Sequence, residues 1–568
     1  MTHRAGFSLS ALTAIGLIVG AGLFTPSPVA ADAGAYLAAR QATMDRSFRD
    51  LVSYATRSLA SDPQNPVLLE SVISGQISMG NFDQIKGYAS VLRDLEPGNQ
   101  IAAMGNLTLM ARDEDYDGVI AALDEGQSIS TVVDGMVHAW AFVGKGDMSS
   151  ALTLFDSTVD AGQGFEFFGP YNKALALALV GDYEGALDTL TSVGQPATRS
   201  SAIAQAQMLS QLERNDEALT LINDSFGATP DAEIEALKAA LSAGESVPFT
   251  VVRSARDGMA DVFFAVASAL DGGLDDGYTL LYARIAQALR PDEANYALFS
   301  AALLERLDNY DLATTAFDAI AVDDPAYPMA TLGRAEALRA AGKDDAELEV
   351  LRQLTKSHPE LDDGHIALGD ALRRHERYAE AAEAYTAAID LNQPPSRAQW
   401  PLYFTRGIAY EREGVWDKAE ADLRQALALE PDQPQVLNYL GYSFLEMKTN
   451  LDEAMGMIRK ASAARPNDGY ITDSLAWGLY LLGRYDEAVK PMERAAALMP
   501  VDAVVNDHLG DVYWAVGRER EARFQWERAL SFDPEDDEAN RIRRKLEVGL
   551  DRVLVEEGLA PTRPLDDG

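Results

Sequence analysis

Apolar residues recur along most of this chain at spacings of three and four, which places them on one face of an α-helix. Two such segments, joined by a short polar turn, make one unit, and one unit follows another. In the unit that ends at Pro431, Gly407 and Tyr410 lie in the first helix and Ala419 and Leu423 lie in the second. The pattern therefore predicts an all-α chain of helix-turn-helix repeats.

Prolines at a fixed period mark the ends of these units, because a proline cannot continue the helix before it. Prolines spaced 34 residues apart occur in three sets: Pro63 and Pro97; Pro291, Pro325 and Pro359; Pro466, Pro500 and Pro534. This period, with its alternation of small and large residues, resembles the tetratricopeptide repeat, most clearly over residues 360–534. The resemblance implies a superhelical solenoid of helical pairs.

Breaks in the periodicity divide the chain. We expect a signal peptide (1–31), a degenerate N-terminal repeat array (32–241), a joint (242–257), a regular C-terminal array (258–534), a capping helix (535–556) and a disordered tail (557–568). The joint is predicted because residues 242–248 interrupt the repeat and residues 249–253 are too β-branched for a good helix. The final charged helix would cover the exposed apolar face of the last repeat.

The N-terminus has the features of an export signal. Arg4 precedes an apolar run over residues 7–24, and Pro26 and Pro28 then lead into small residues. This order predicts a signal peptide cleaved after Ala31 or Ala33. The alternative is an uncleaved N-terminal anchor, since the run is nearly long enough to span a bilayer. No later stretch is apolar enough to form a membrane span.

Composition narrows the range of partners. Asp and Glu number 88 against 48 Lys and Arg, which gives a formal net charge of −40. Such a chain repels phosphate backbones and anionic lipids, so nucleic-acid binding is not expected. The acidity either keeps a long helical array soluble or attracts basic partners. The absence of cysteine excludes disulfides, thiolate metal sites and a cysteine-linked lipid.

A repeat array offers a ligand the concave surface that its first helices line. Aligning the C-terminal units places eight candidate binding residues there: Asn438, Tyr442, Asp473, Trp477, Tyr480, Asp507, Asp511 and Trp514. Aromatic rings and an asparagine suit a peptide with apolar anchors and some basic residues. The alternative is that some of the aromatic residues pack between neighbouring repeats.

The sequence predicts neither an enzyme nor a cofactor site. Catalytic and nucleotide-binding motifs are absent from the chain that follows the signal peptide, and the repeats leave no room for a separate catalytic domain. A weak calcium candidate consists of Asp113, Asp115, Asp117 and Asp124, spaced as in an EF-hand loop. Position 12 of that loop is aspartate instead of glutamate, and the segment falls where a repeat turn is expected. We therefore favour an ordinary acidic turn.

Several segments resemble a particular group of proteins: residues 34–40, 438–442, 468–475, 506–511 and 522–526. They are similar to the long exported tetratricopeptide proteins of alphaproteobacteria. They are more distantly similar to a pseudomonad outer-membrane lipoprotein that serves as the adaptor of a carboxyl-terminal processing protease. This chain departs from that lipoprotein because it has no cysteine to lipidate.

The resemblance implies a periplasmic scaffold, peripherally associated with the envelope, that binds proteins or peptides in its concave groove. An envelope protease and its substrates are partners that the resemblance suggests. One alternative is an anchored protein that faces the periplasm. The functional alternatives are a constitutive structural component of an envelope or secretion complex, and an enzyme.

Overall fold

A computed structural model describes residues 33–157, 167–192, 198–227, 232–273 and 275–564 of this protein. All regular structure in these ranges is helical, with no strand. The predicted fold class, an all-α solenoid of tetratricopeptide repeats, is confirmed. The predicted signal peptide lies outside the described residues, as does the end of the tail (565–568).

The repeat depends on small residues where the two helices of a pair approach each other. A Cβ atom on Gly407 would lie 3.1 Å from Leu423, and one on Gly510 would lie 2.4 Å from the indole ring of Trp526. Ala419 is fully buried. Larger side chains at these positions would separate the helices, because protein interiors have almost no free volume.

The chain divides into two compact units, one ending at Ala326 and the other beginning at Tyr327. Unit 1 contains α1 (Ala33–Met44), α2 (Phe48–Leu59), α3 (Pro66–Ser78), α4 (Lys86–Leu95), α5 (Gln100–Arg112), α6 (Tyr116–Asp124), α7 (Thr131–Gly144), α8 (Met148–Ser157), α9 (Phe168–Leu179), α10 (Tyr183–Thr191), α11 (Arg199–Gln211), α12 (Asn215–Phe226), α13 (Ala232–Ser242), α14 (Ala255–Leu270), α15 (Asp276–Leu289), α16 (Ala294–Arg306) and α17 (Tyr310–Asp318).

Two helices of unit 1 pack against helices that are not their neighbours in the chain. Helix α14 packs across α7 and α9, and α15 packs across α3 and α5, all four of which are first helices of their pairs. Arg284 in α15 donates a hydrogen bond from Nε to the Ser78 carbonyl oxygen, 3.0 Å away. Burial lowers the pKa of Arg284 to about 10. The first helices of this array are therefore covered by the chain's own α14 and α15.

This packing changes the expected domain organisation. Residues 245–253, inside the predicted joint, contain no helix, but they are bound to α11. Gln207 and Thr250 exchange two hydrogen bonds, of 2.9 and 3.0 Å, and the Val247 amide donates to Ser210. The segment 242–257 thus lies within unit 1, and the boundary between the units along the chain falls between α17 and α18.

Unit 2 continues as regular pairs and ends with two further helices. It contains α18 (Tyr327–Ala340), α19 (Asp344–Ser357), α20 (Asp362–Arg374), α21 (Tyr378–Leu391), α22 (Trp400–Arg412), α23 (Trp416–Leu429), α24 (Pro434–Glu446), α25 (Leu451–Ala464), α26 (Gly469–Leu481), α27 (Tyr485–Leu498), α28 (Ala503–Ala515), α29 (Glu519–Leu530), α30 (Asp536–Val548) and α31 (Leu550–Glu556). In the described part of the chain, no helix has both the length and the apolar character that a membrane span requires.

Candidate functional site

The candidate binding residues lie on three successive first helices of unit 2. Helix α24 carries Asn438 and Tyr442 one turn apart, and both side chains are half-buried. Asn438 Oδ1 has no hydrogen-bond partner among the described residues. Burial, together with the nearby carboxylates of Glu446 and Asp473, raises the pKa of the Tyr442 hydroxyl. Asn438 Oδ1 is thus an unpaired acceptor with almost no accessible surface, and Tyr442 is a neutral phenol.

The three candidates on α26 form one cluster with a histidine from α28. Trp477 stacks on His508 at a centroid distance of 3.8 Å and on Tyr480 at 4.6 Å. Asp473 is buried, and both of its carboxylate oxygens lie 3.1 Å from Nδ1 of His508. Tyr480 is buried as well, which leaves Trp477 as the half-exposed member of the cluster.

The charge of His508 is set by its surroundings. Burial alone would lower the pKa of His508, but the carboxylates of Asp473, Asp507 and Asp511 outweigh burial and raise it above the ordinary value. The imidazolium form is then favoured in the folded protein. The Asp473–His508 contact consequently acts as an ion pair across α26 and α28 at mildly acidic pH.

This raised pKa predicts a pH-dependent contribution to stability. Because the folded-state pKa exceeds the unfolded value, the His508–Asp473 pair stabilises unit 2 fully below about pH 6.5, and the stabilisation is lost as the pH rises through the higher folded value. The expected loss of unfolding free energy caused by Asp473→Asn is therefore larger at pH 5.5 than at pH 8.5. Urea denaturation of both proteins at both pH values measures it, and an equal loss at the two values would contradict the pairing.

The three candidates on α28 are covered by the C-terminal helices. Lys545 of α30 donates from Nζ to both oxygens of Asp511 at 2.7 Å and to those of Asp507 at 2.7 and 2.9 Å. The Lys545 side chain has no exposed surface, and that of Asp511 has 1%. Trp526 adds a second donor to Asp511, at 2.9 Å. Asp511 thus holds the capping helix in place and is not open to a partner.

Trp514 is also removed from the expected binding surface. Its exposure is 8%, and its indole Nε1 donates to Asp551 of α31 at 2.7 Å. Arg563, in the predicted disordered tail, lies over the indole ring at 5.0 Å, and Thr562 donates to Asp551. The expectation of an open Trp514 and a disordered tail is therefore corrected for the described residues: the tail up to residue 564 packs against α28 and α31.

Sequence reasoning did not assign a role to Lys545 or Asp551. The spacing of residues in α30 could have indicated that Lys545 is buried. Ala539, Ile542 and Lys545 follow one another at intervals of three and share the buried face of the helix. A lysine on the apolar face of a helix needs an acidic partner, since an unpaired buried charge is costly. The sequence pattern does not show which carboxylates supply it.

The calcium candidate is an ordinary turn in the structure. The Asp115 side chain caps α6 by accepting a hydrogen bond from the Gly118 amide, and Asp117 pairs with Lys145 at 2.6 Å. Asp113 ends α5, and Asp124 is the last residue of α6, about 13 Å along the helix axis from Asp115. Helix α6 thus takes the place of the loop that an EF-hand wraps around its ion.

One group of side chains in the described residues, distinct from the calcium candidate, has ligand atoms close enough to share a metal ion. Asp344, Glu347 and His375 in unit 2 offer three such atoms within 4.8 Å of one another. Arg374 is hydrogen-bonded to the buried Glu347 carboxylate, and its positive charge opposes a cation there. Burial nevertheless raises the pKa of Glu347. The geometry therefore fits an ion pair between the buried Glu347 and the exposed Arg374.

Comparison with known proteins agrees with this architecture. Residues 300–362, 366–402 and 404–469 match the family model described as Tetratricopeptide repeat. The chain thus contains tetratricopeptide repeats, and its fold class is a solenoid of them. Proteins of this class present surfaces on which other proteins bind.

Similar proteins cover parts of the chain. A TPR repeat-containing protein of Pseudomonas aeruginosa is 32% identical over 159 residues, which is 27% of this chain and 26% of that protein. The Lipoprotein NlpI homolog of Haemophilus influenzae is 38% identical over 86 residues, 15% of this chain and 26% of the relative. The chain spans about a quarter of the length of these curated relatives.

Among solved structures, the chain is similar to the crystal structure of the APC/C hetero-tetramer Cut9-Hcn1. That similarity has 14% identity and a TM-score of 0.37, and it covers 91% of this chain and 96% of the other.

Proposed function

We propose that this protein is an exported scaffold whose unit 2 binds a partner protein through a segment with basic and apolar side chains. The observation that carries the proposal is the docking of α30 on α28. A helix from the chain's own C-terminus lies there, with Lys545 held by Asp507 and Asp511. The chain thus provides an example of the ligand chemistry that its first helices accept.

The docked helix defines that chemistry further. Arg541 precedes Lys545 by four residues, so both side chains lie on one face of α30. The Arg541 guanidinium approaches Asp511 to 3.7 Å and Asp507 to 3.9 Å. Two basic residues one turn apart therefore match two carboxylates one turn apart. A partner helix with the same spacing would suit acidic first helices elsewhere in unit 2.

The neighbouring first helices α22, α24 and α26 carry a partly accessible surface that is mainly aromatic. We define the inner surface as the half-buried side chains of Phe404, Asn438, Tyr442 and Trp477 on α22, α24 and α26. Phe404 meets Tyr439 edge-on at 5.8 Å, and the Tyr439 hydroxyl donates to Glu411 at 2.9 Å. Aromatic rings here supply contact area at low entropic cost, and rotation of the Asn438 amide would bring its buried, unpaired carbonyl oxygen within reach of a peptide N–H.

Two observations support an envelope setting for this proposal. The first 31 residues have the order of a signal peptide. The similarity to a Haemophilus influenzae protein named as a lipoprotein favours an envelope location. Within the envelope, an adaptor that brings a protease to its substrates is the specific role we propose. A constitutive structural component of an envelope complex is the alternative.

Site-specific photocrosslinking tests the binding surface. A benzophenone amino acid at position 442 is expected to give a discrete adduct in cells, because Tyr442 lies on the inner surface. The matched control is position 524, where Phe524 on the second helix α29 is 60% exposed. Adding Asn438→Ala and Trp477→Ala should lower the adduct yield by about tenfold, as expected for central contact residues.

The adduct's identity separates the two roles. An envelope protease or its substrate in the adduct supports the adaptor, whereas one stoichiometric structural protein supports the alternative. Adduct formation at position 442 no greater than at position 524 would rule out the inner surface as the binding site. Circular dichroism of each variant verifies that its helical content is unchanged.

A further inference from the structure

Unit 1 contains a large cavity beside the helices that cover its first helices. The cavity has a volume of about 810 Å³ and lies between α9, α11, α14 and α16, with residues 250 and 251 at its side. This volume falls within the range of about 300–1,000 Å³ found for sites that bind small organic molecules. Because it lies in unit 1, it is separate from the inner surface described for unit 2.

The walls of the cavity are mainly aromatic. Six rings line it: Phe167, Phe168, Tyr171, Phe264, Tyr296 and Phe299. Phe264 packs against Tyr296 at 4.6 Å and meets Phe299 edge-on at 5.6 Å. Rings arranged in this way offer both an apolar surface and electron-rich faces, which attract an organic cation.

Buried polar atoms without partners also line the cavity. Asp261 and Tyr171 are each 4% exposed, and Arg290 is 8% exposed. Asp261 Oδ2, the Tyr171 hydroxyl and Arg290 Nε make no hydrogen bond of good geometry to the described residues, although the Tyr171 hydroxyl lies near enough to the Asp261 carboxylate for each group to affect the other's pKa. Leaving a buried polar group unpaired costs about 1–3 kcal/mol, so such groups usually have a partner. Of the three, Asp261 Oδ2 is the anionic acceptor, and it is the atom that a ligand with N–H donors would pair.

The charges around the cavity define that ligand. Three carboxylates line it, and two are already neutralised: Glu233 by Arg199 at 2.6 Å, and Glu293 by Arg290 at 3.1 Å. Arg290 also donates to the backbone carbonyls of residues 250 and 251, which fixes its guanidinium. Asp261 is the remaining carboxylate of the lining and has no basic partner within ion-pair distance in the described residues.

We propose that this cavity binds a small amphipathic amine, with its ammonium group on Asp261 and its apolar body against the aromatic rings. The ammonium would donate to the Asp261 carboxylate, whose Oδ2 has almost no accessible surface and must first rotate toward the cavity. Its charge would then lie among the aromatic rings of the lining. A carboxylate ligand would meet the same oxygen with like charge. A neutral apolar ligand would leave the Asp261 carboxylate unpaired, whereas Arg290 Nε, which is a donor, stays unpaired with an ammonium ligand as well.

A matched series of probes tests the proposal on the full chain. The probes are 4-phenylbutylamine, 4-phenylbutan-1-ol and 4-phenylbutanoate, which share an apolar body and differ in the head group. Isothermal titration should show the amine binding about 10- to 100-fold more tightly than the carboxylate, as expected for one charge-assisted hydrogen bond. Equal affinities for the three probes, or no binding of the amine, would overturn the proposal.

Two variants locate the binding site. Asp261→Asn keeps the shape of the side chain and should weaken amine binding by at least about tenfold while leaving alcohol binding unchanged. The control is Glu184→Gln, which changes an exposed carboxylate on α10. Amine affinity that Asp261→Asn leaves intact would overturn the assignment. Phe264→Leu serves as a second variant if Asp261→Asn does not fold, and it should weaken amine and alcohol binding together.

Proton release provides an independent readout. Burial raises the pKa of Asp261 to about 7, against the opposing effect of Arg290. The groups that face Asp261 are Tyr171 on α9, Arg290 and Glu293 after α15, and Tyr296 on α16. Near pH 7 about half of the carboxyls are protonated, so an ammonium ligand should displace about half a proton per site. Titrations in buffers of different ionisation enthalpy measure this release, and its absence would contradict contact with Asp261.

Discussion

Replacing Lys545 with methionine is expected to destabilise the C-terminal helices of unit 2 by about 3–5 kcal/mol. The substitution keeps most of the side-chain volume but removes a buried ammonium group that contacts four carboxylate oxygens. Asp511, which is almost completely buried, would then keep only the Trp526 donor and the more distant Arg541 guanidinium. Such a loss is more costly than the absence of the whole pair, because the remaining ion stays desolvated.

Hydrogen exchange at the amides of α30 and α31 measures this effect. Repeat proteins open locally from their ends, so exchange reports the stability of these two helices better than global unfolding does. The matched control is Lys460→Met, which removes an exposed pair with Asp432 and should leave protection nearly unchanged. Protection of α30 equal to that of the native chain would show that the pair does not hold the helix.

A double variant separates the pair from the packing around it. Asp511→Asn combined with Lys545→Met removes both charges of the closest contact. We expect the loss of protection in this double variant to be smaller than the sum of the losses in the two single variants. When both charges of the pair are removed together, neither side chain is left with an unpaired charge. An additive result would mean that the two side chains act independently.

Replacing Trp140 with alanine is expected to destabilise unit 1 by about 3–5 kcal/mol. Trp140 on α7 is completely buried and packs edge-on against Phe155 at 5.7 Å. Its Nε1 donates to the buried Asn172 side chain on α9 at 2.7 Å. The indole ring also supports α14, because a Cβ on Gly258 would lie 2.3 Å from it. One side chain therefore joins α7, α8, α9 and α14.

Urea denaturation followed by circular dichroism measures the loss of unfolding free energy. Two further variants separate the contribution of the hydrogen bond from that of the packing against α14. Trp140→Phe keeps much of the ring but leaves Asn172 Oδ1 unpaired, at an expected cost of about 1–3 kcal/mol. Gly258→Ala alone should also destabilise, since its methyl group would collide with the indole ring.

Combining Gly258→Ala with Trp140→Ala should cost less than the two separate losses, because the new methyl group then enters vacated space. Strict additivity would contradict the contact between α7 and α14. Gly87→Ala provides the control, since a Cβ there meets nothing within 4 Å.

The exposure of the candidate residues was predictable in part. Helix phase placed Asn438, Tyr442 and Trp477 on the exposed side of first helices, and the structure leaves these three side chains half-buried. The same phase placed Asp511 and Trp514 there, but α30 and α31 cover them. Repeat alignment treats every unit alike, so it does not show that the last unit receives the C-terminal helices. The buried lysine that holds them is visible only once the helices are packed.

The cavity in unit 1 was not predictable from the sequence. Its rings come from residues 167 to 299, on helices that are distant along the chain. Within the sequence of any one helix, each of these aromatic residues resembles an ordinary core residue. Asp261 similarly resembles a solvated acid of an acidic protein, until its burial and its lack of a basic partner are seen.

The sequence by itself determined the helices, their pairing and the period of the repeat. These features depend on contacts between residues close in the chain, such as Gly407 against Leu423 and Gly510 against Trp526. Tertiary structure decided which surfaces remain open. Contacts such as Gly258 with Trp140 and Lys545 with Asp511 join residues far apart in sequence, and periodicity carries no information about such pairs. A first helix is therefore recognisable from its own residues, whereas its availability to a partner depends on where the non-repeating helices pack.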